Sequence, residues 1–196
     1  MVLAIDFDGT LADTNRVKAE WIRRHLGIDV PPWLCNRTEC VPLIGAEAYS
    51  RMADVVYGRQ ATLGTPEVPG ALAAVRALAE RADLHLLTAR RPERMAFARE
   101  WLESREVADC FRDFHSSRGT SKAAVCAGID AETLIDDDPR HLEATATGPA
   151  RRVLLQHGRA GAGDIPQGVT FRRSWPEVRR FLDPAAGGRA SRDPRE

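Results

Sequence analysis

Two aspartates lie two residues apart in the stretch Asp6–Thr10, which reads DFDGT and follows the apolar run Val2–Ile5. The run is typical of a buried strand, and residues i and i+2 of an extended chain face the same side. Two carboxylates so close together repel each other unless a cation is near, and a hard divalent ion such as Mg²⁺ takes oxygen ligands. Because Gly9 allows a sharp turn, the stretch predicts an acidic, metal-binding turn at a strand end. The alternative is a plain strand-to-turn junction, since Asp-Gly is a common turn dipeptide.

Other polar side chains fall at the ends of later predicted elements. Thr88 ends the run Leu84–Thr88, the triplet Asp136–Asp138 follows the run Thr133–Ile135, and Lys122 begins a predicted helix. This set suits phosphoryl transfer, because a phosphate monoester needs positive charge and fixed hydrogen-bond donors around its oxygens. One carboxylate can act as nucleophile and form an aspartyl-phosphate, while a second moves the proton. Taken singly, each has a structural alternative: a strand threonine, a solvated lysine and a helix-capping acidic turn.

Apolar runs and helical patterns alternate along the chain. Strands are predicted at Val2–Phe7, Leu84–Thr88, Thr133–Ile135, Val153–Leu155 and Val169–Phe171. Helices are predicted at Ala71–Arg81, Pro92–Arg105, Ser121–Ala127, Pro139–Ala146 and Trp175–Leu182, the last capped by Ser174. Such alternation predicts an α/β fold, with a Rossmann-like parallel sheet flanked by helices. Right-handed crossovers place the C-terminal strand ends at one edge of the sheet, where ligands bind.

The stretch between the first two strands departs from this alternation. Helical patterns cover Thr14–Leu26 and Ala46–Tyr57, a proline-containing segment joins them, and residues 59–70 form the predicted return linker. We interpret residues 14–68 as a small helical cap inserted after the first strand, over the ligand-binding edge. Residues 1–13 and 69–184 then form the α/β core domain. Residues 185–196, rich in Gly, Ala, Arg, Asp and Pro, are predicted to be disordered.

Together these motifs resemble those of the haloacid dehalogenase superfamily, whose members are mostly Mg²⁺-dependent phosphohydrolases. Asp6–Thr10 resembles the first motif of the superfamily, Leu86–Arg90 the second, Lys122 the third and Leu134–Asp138 the fourth. The resemblance spans about residues 2–156. It implies a hydrolase acting on phosphoric monoesters, and the helical insertion is similar to one of the superfamily's cap types.

The resemblance also implies roles for individual residues. The catalytic set would be the nucleophile Asp6, the general acid/base Asp8, Thr88 and Lys122. The substrate-binding set would be Thr88, Ala89, Arg90 and Lys122. Mg²⁺ would be held by the Asp6 carboxylate, the Asp8 main-chain carbonyl and an acid of the fourth motif. Asp137 is the favoured ligand with Asp136 beside it, and the third acid, Asp138, leaves this assignment open by one position.

Within the superfamily, Leu84–Leu155 most resembles the 5'(3')-deoxyribonucleotidase group, which implies a nucleoside monophosphate substrate. Aromatic side chains of the cap could stack on a base, or could simply pack the cap: Trp21, Trp33, Tyr49 and Tyr57. Open alternatives within the same chemistry are a phosphatase of a sugar phosphate or pathway-specific metabolite and a polynucleotide 3'-phosphatase. Two alternatives are not phosphatases. One is a metal-independent dehalogenase, which Asp8 and the acidic fourth motif disfavour, and the other is a non-catalytic binding module.

Composition narrows the class of partner. The 28 basic and 28 acidic residues give no net charge, so nothing favours nucleic acid or an anionic membrane, and we expect a small phosphorylated metabolite. The apolar runs are too short to span a membrane and no signal peptide is evident, which predicts a cytoplasmic protein. The spacing of the four cysteines does not suit zinc: Cys35, Cys40, Cys110 and Cys126. In a reducing cytoplasm we expect them to be free thiols. The oligomeric state stays open, with a homodimer as one option.

Overall fold

Six strands form one sheet in the computed structural model, which describes residues 1–143, 148–161, 163 and 165–183. The strands are β1 (Val2–Ile5), β2 (Asp83–Thr88), β3 (Phe111–Ser116), β4 (Thr133–Asp136), β5 (Arg151–Leu155) and β6 (Val169–Arg172). All neighbours are parallel, in the order β3-β2-β1-β4-β5-β6. The predicted α/β fold with a Rossmann-like parallel sheet is confirmed.

Strand β1 lies in the middle of the sheet, between β2 and β4. Its last residue, Ile5, is opposite Leu86 on one side and Ile135 on the other. Because the three strands run parallel and end close to the same level, the segments that follow them emerge at one edge of the sheet. This register brings together the loop after β1, the end of β2 and the acidic turn after β4.

Eight α-helices lie within the described residues. They are α1 (Thr14–Leu26), α2 (Arg37–Ile44), α3 (Ala46–Val56), α4 (Arg59–Gly64), α5 (Ala71–Ala79), α6 (Pro92–Glu103), α7 (Lys122–Gly128) and α8 (Trp175–Leu182). Short 3₁₀ turns occupy Pro32–Leu34, Ala108–Cys110 and Pro139–Leu142. Helices α1–α4 all lie between β1 and β2, where the sequence predicts an insertion. The division into core and cap at residues 13/14 and 68/69 stays a prediction.

The two faces of the sheet bury separate apolar clusters. Leu3 and Ile5 of β1 pack with side chains of α5, α6 and α8, while Ala4, on the opposite face, packs with side chains of α7. The inserted helices α1–α3 have an apolar cluster of their own, which includes Ile22 and Met52. Both faces are therefore covered, as expected for strands that read as near-continuous apolar runs.

Strand β3 is absent from the sequence prediction, which is wrong on this point. The strand lies at the edge of the sheet and only Phe111 is fully buried, so its sequence includes Arg112 and Asp113 rather than an apolar run. An edge strand covered on one side needs little apolar periodicity, so its sequence carries no clear strand pattern.

Two helices occupy segments that the sequence prediction treats as connections. Helix α2 forms in the proline-containing segment because Asn36 caps it, accepting a hydrogen bond from the Glu39 backbone N–H at 3.1 Å. The spacing Asn-x-x-Glu is a helix-start signal that outweighs Pro42 inside the helix. Helix α4 forms at the start of the predicted return linker, where its Gly64 and the following Pro66 misleadingly suggest a loop.

The C-terminal half differs from prediction in smaller ways. The predicted helix Pro139–Ala146 is a single 3₁₀ turn over Pro139–Leu142, and residues 144–147 lie outside the described residues. Ser174 precedes α8 as predicted, but its side chain makes no capping hydrogen bond. The predicted disordered tail, residues 185–196, lies outside the described residues. None of the described helices combines the length and apolar character that crossing a membrane requires.

Candidate active site

The loop after β1 holds Asp6 at the edge formed by the C-terminal ends of the strands. The Asp6 backbone N–H donates to the carbonyl of Ile135 at 2.9 Å, which fixes its position relative to β4. Trp175 anchors the other end of the loop, since its indole N–H donates to the carbonyl of Thr10 at 2.9 Å. Gly9 has φ +82°, and a Cβ there would overlap the side chains of Asn15 and Asp137. Glycine is thus required at this position both for its backbone conformation and for the space it leaves.

Lys122, at the start of α7, joins β1 to β4 through its ammonium group. Its Nζ donates to Asp6 Oδ1 at 2.5 Å and to Asp136 Oδ2 at 2.6 Å. All three side chains are buried. Burial disfavours the charged lysine, yet Asp136 and Asp6 outweigh it and keep the pKa of Lys122 above its usual value. A fixed cation therefore lies directly against the predicted nucleophile.

Three carboxylates converge at this edge. Asp6, Asp136 and Asp137 each offer an oxygen, and these oxygens lie within 4.8 Å of one another. Burial, with Asp136 and Asp8 nearby, raises the pKa of Asp6 to about 7 in spite of Lys122. Burial and the neighbouring Asp6 likewise raise the pKa of Asp137 well above its usual value. Crowded acids of this kind would be relieved by a bound cation, so an all-oxygen donor set here fits Mg²⁺.

The hydrogen bonds divide the acidic triplet into three environments. Asp136 is saturated, because its oxygens accept from Lys122 and from the Asp138 backbone N–H, with His141 Nδ1 at 3.2 Å from each. Asp138 turns away and pairs with the Arg140 guanidinium. Asp137 accepts from Asn15 Nδ2 at 2.5 Å through Oδ2 only, which leaves its Oδ1 without a donor among the described residues. Of the three acids, Asp137 is therefore best placed to give an oxygen to a metal.

Asp8 is held by a bidentate ion pair. Arg90 donates from Nε to Asp8 Oδ2 at 2.8 Å and from Nη2 to Oδ1 at 2.7 Å, and the Thr14 hydroxyl donates to Oδ1 at 2.7 Å. Burial alone would raise the pKa of Asp8, but Arg90 outweighs it and holds the pKa below its usual value. In this arrangement Asp8 is ionised, and Arg90 contacts a carboxylate where the sequence predicts contact with substrate.

Arg90 also connects the loop after β1 to the inserted helices. Its Nη1 donates to the Thr62 hydroxyl on α4 at 2.9 Å. Its guanidinium carbon lies 4.8 Å from the centroid of the Phe7 ring and 5.2 Å from that of the Tyr57 ring. Its backbone N–H donates to the Thr88 hydroxyl at 3.2 Å. Every part of the side chain therefore has a partner, and the buried arginine couples core and insertion.

A cavity of about 370 Å³ opens over these groups. Among the predicted site residues its walls include Asp6, Asp8, Thr88, Ala89, Arg90 and Asp137. Lys122 and Asp136 are not part of this wall, but Lys122 bonds to Asp6 on the wall and to Asp136. The structure thus brings the predicted set together at one edge of the sheet, while the individual roles stay predictions.

Four residues next to this set are absent from the sequence prediction: Thr14, Asn15, Lys18 and His141. Three of them contact its carboxylates directly, while Lys18 contacts Asn15. Thr14, Asn15 and Lys18 lie on the buried face of α1, next to the acidic loop. Their signal was available, because polar residues at positions 14, 15 and 18 share a face with the apolar Ile22 at helical spacing. His141 could not be found from spacing, since only the 3₁₀ turn after β4 brings its ring to Asp136.

Comparison with known proteins shows the fold. No protein-family model matches the chain, and no curated protein matches it either. A haloacid dehalogenase-like family hydrolase from Streptococcus pneumoniae is similar in structure, with a TM-score of 0.63 and 16% identity over 92% of this chain and 97% of that one. A HAD family hydrolase from Deinococcus radiodurans, with bound phosphate and sodium, has a TM-score of 0.58 and 13% identity, and the match covers 94% of this chain and 96% of that one. YfnB from Bacillus subtilis, described as a HAD-hydrolase bound to magnesium, has a TM-score of 0.55 and 13% identity, and the match covers 92% of this chain and 97% of that one. The chain therefore has the fold found in haloacid dehalogenase-like hydrolases.

Proposed function

We propose that this protein is a Mg²⁺-dependent phosphatase that hydrolyses a small phosphomonoester. The observation that carries the proposal is the buried Lys122 ammonium between Asp6 and Asp136, with Asp137 completing the carboxylate cluster. A fixed cation beside a potential nucleophile is what transfer of a dianionic phosphoryl group requires. The Deinococcus neighbour with bound phosphate and the Bacillus neighbour with bound magnesium agree with this chemistry.

The chain's own residues support a two-step reaction. An Asp6 carboxylate oxygen attacks phosphorus, the bond from phosphorus to the leaving oxygen breaks, and Asp8 gives that oxygen a proton. Water then attacks phosphorus, its proton passes to Asp8, and the bond between phosphorus and Asp6 breaks. Lys122 holds Asp6 in place and stabilises charge on the phosphoryl oxygens. Mg²⁺, held by Asp6, the Asp8 main-chain carbonyl and Asp137, would neutralise the charge that repels the substrate from the nucleophile.

Asp8 can act as an acid only after its contact with Arg90 changes. The ion pair keeps the carboxyl ionised, so no proton is available in the arrangement described. A substrate phosphate competes for the same guanidinium, because arginine binds phosphate and carboxylate with the same paired donors. Arrival of the substrate would thereby release Asp8 and raise its pKa, and Arg90 would take up its predicted substrate-binding role.

The nucleoside part of the sequence prediction has less support. The cavity wall includes Tyr49 and Tyr57 but neither Trp21 nor Trp33. Lys18 and Arg90 both lie over the Tyr57 ring, and Arg37 lies over the Tyr49 ring. A base that stacks on either tyrosine would compete with these cations for the ring. We therefore propose the phosphatase reaction without a nucleoside requirement.

Release of inorganic phosphate tests the proposal. Purified protein is assayed with p-nitrophenyl phosphate, glycerol 3-phosphate and nucleoside monophosphates, in Mg²⁺ and in EDTA. We expect metal-dependent release, and a loss of more than about a thousandfold in Asp6→Asn, because the covalent step lacks its nucleophile. Asp109→Asn, a change of the same chemistry at an exposed position, is the matched control. Release that survives in Asp6→Asn or in EDTA contradicts the proposal.

A further inference from the structure

The chain uses lysine at two positions only. Of its 28 Lys and Arg residues just two are lysines, Lys18 and Lys122. Both are buried, with 4% and 3% of their surface exposed, and both lie beside the catalytic carboxylates. Arginine supplies the rest of the basic charge. A lysine ammonium is a compact point charge with rotatable donors, so its restriction to these two positions indicates a requirement of the site.

The two ammonium groups differ in their partners. Lys122 lies between two carboxylates, whereas Lys18 has no carboxylate oxygen within 4.0 Å among the described residues. The Lys18 Nζ donates to Asn15 Oδ1 at 3.1 Å and lies 5.4 Å from the centroid of the Tyr57 ring. Burial works against its charge, yet Tyr57, Tyr49 and Asp8 keep the pKa of Lys18 above its usual value. The Lys18 ammonium therefore keeps its charge and lies on the wall of the cavity, but it makes no direct ion pair within the described part of the chain.

The rest of the cavity wall also has more unpaired positive charge than unpaired negative charge. Three of its acids are already paired with arginines that also line it: Asp8 with Arg90, Asp54 with Arg94 and Asp138 with Arg140. The remaining acids, Asp6 and Asp137, belong to the carboxylate cluster that fits a metal. Positive charge is left over on Lys18 and on three lining arginines that make no ion pair within the described part of the chain: Arg37, Arg91 and Arg118.

We propose that the substrate carries a second anionic group, a carboxylate or a second phosphate, and that Lys18 and Arg37 bind it. The proposal rests on the proposed phosphatase function. Lys122 and Asp6 would act on the phosphoryl group that is released, while Lys18 and Arg37, on the inserted helices, would bind the other end of the molecule. A neutral leaving group such as glycerol or a nucleoside leaves the Lys18 charge unpaired, and is therefore the poorer substrate.

Matched substrate pairs test the proposal through kcat/KM. 3-Phosphoglycerate differs from glycerol 3-phosphate by a carboxylate in place of a hydroxymethyl group, and fructose 1,6-bisphosphate from fructose 6-phosphate by a second phosphate. We expect the substrate with the second anionic group to be preferred at least about tenfold in one pair, and Lys18→Met to reduce that preference about ten- to a hundredfold. Arg24→Met, an exposed change on the same helix, is expected to keep the preference. No preference in either pair, or a better nucleoside monophosphate, overturns the proposal.

The two lysines also allow a binding measurement that does not depend on turnover. Lysine labelled with ¹³C at Cε gives two side-chain signals in NMR spectra, which Lys18→Arg assigns. In the Asp6→Asn protein, 3-phosphoglycerate or fructose 1,6-bisphosphate is expected to shift both signals, and glycerol 3-phosphate to shift mainly that of Lys122. An equal response of Lys18 to all three overturns the proposal.

Failure of the phosphatase function has a different signature. In that case the wild-type protein releases phosphate from none of the substrates, 3-phosphoglycerate and fructose 1,6-bisphosphate included, while the Lys18 signal still distinguishes ligands with two anionic groups from glycerol 3-phosphate. Conversely, phosphate release without any effect of Lys18→Met on the substrate preference leaves the phosphatase standing and removes the second anion site.

Discussion

At the scale of single residues, identical side chains acquire different chemistry from their neighbours. Asp136 is ionised because Lys122 and His141 outweigh its burial and hold its pKa below the usual value. Asp137, one residue further, has a pKa well above the usual value because it is buried beside Asp6. Asp138 is bound to Arg140 and takes no part in the cluster. Adjacent positions after a strand point in different directions, and this separates the three roles.

The metal assignment gives a prediction at this scale. Asp137→Asn is expected to weaken Mg²⁺ binding at least about tenfold, because it removes a charge and a free oxygen from the cluster. Asp138→Asn is expected to change the affinity less than about threefold, since its carboxylate pairs with Arg140. Isothermal titration calorimetry with Mg²⁺ compares the two variants. A larger loss of Mg²⁺ affinity in Asp138→Asn than in Asp137→Asn would make Asp138 the metal ligand.

At the scale of elements, the site depends on strand ends that are held in register by a buried sheet. Strand β4 carries the acidic turn and is buried along its whole length. One group in it is not satisfied: the Thr133 hydroxyl is buried and has no hydrogen-bond partner among the described residues. Thr133 begins β4, at the end of the strand away from the acidic turn, so its hydroxyl serves no function in the proposed reaction.

The unpaired hydroxyl predicts a stabilising change. Thr133→Val keeps the shape of the side chain and removes the buried polar atom, so the free energy of unfolding is expected to rise by about 1 kcal/mol. Urea unfolding followed by tryptophan fluorescence measures the difference. Thr170→Val on β6, where the side chain is half-buried, is the control and is expected to change stability by less than about 0.5 kcal/mol. A less stable Thr133→Val protein would show that the hydroxyl has a partner.

At the scale of the whole molecule, charge crowding at the sheet edge links stability to pH and to metal. The pKa of Asp6 is raised to about 7, so the folded state binds more protons than the unfolded chain between about pH 4 and pH 7. For a group of this kind, stability falls as the pH rises through that interval. Under the proposed function, Mg²⁺ would bind the ionised carboxylates and would have to displace protons at the acidic end.

The expected result is a metal effect that grows with pH. Saturating Mg²⁺ is expected to raise Tm by about 5–10 °C at pH 8, and by less at pH 5.5. Differential scanning calorimetry at the two pH values, with Mg²⁺ or EDTA, measures the difference. In Asp6→Asn the dependence on pH is expected to shrink, because the titrating carboxyl is gone. An equal rise in Tm at both pH values would contradict the linkage.

Much of this molecule could be predicted from sequence because its signals are local. Apolar runs indicate β1, β2, β4, β5 and β6, helical spacing indicates the main helices, and the motif Asp6–Thr10 marks the loop at the centre of the sheet. Strand β3 and helices α2 and α4 were missed. The first is a half-exposed edge strand that forms by pairing with β2. Helix α2 contains a proline and depends on its Asn36 cap, whereas α4 precedes a proline and has no side-chain cap.

The sequence by itself determined which residue types meet at the sheet edge, since a parallel sheet places all strand ends together. Only the tertiary structure decided how they pair. It pairs Arg90 with Asp8, separates Asp137 from its neighbours, and places Lys18 of α1 at the cavity with no ion pair to any described residue. These pairings join residues far apart in the chain, and a side chain's partner depends on packing in three dimensions, which spacing along the chain does not encode.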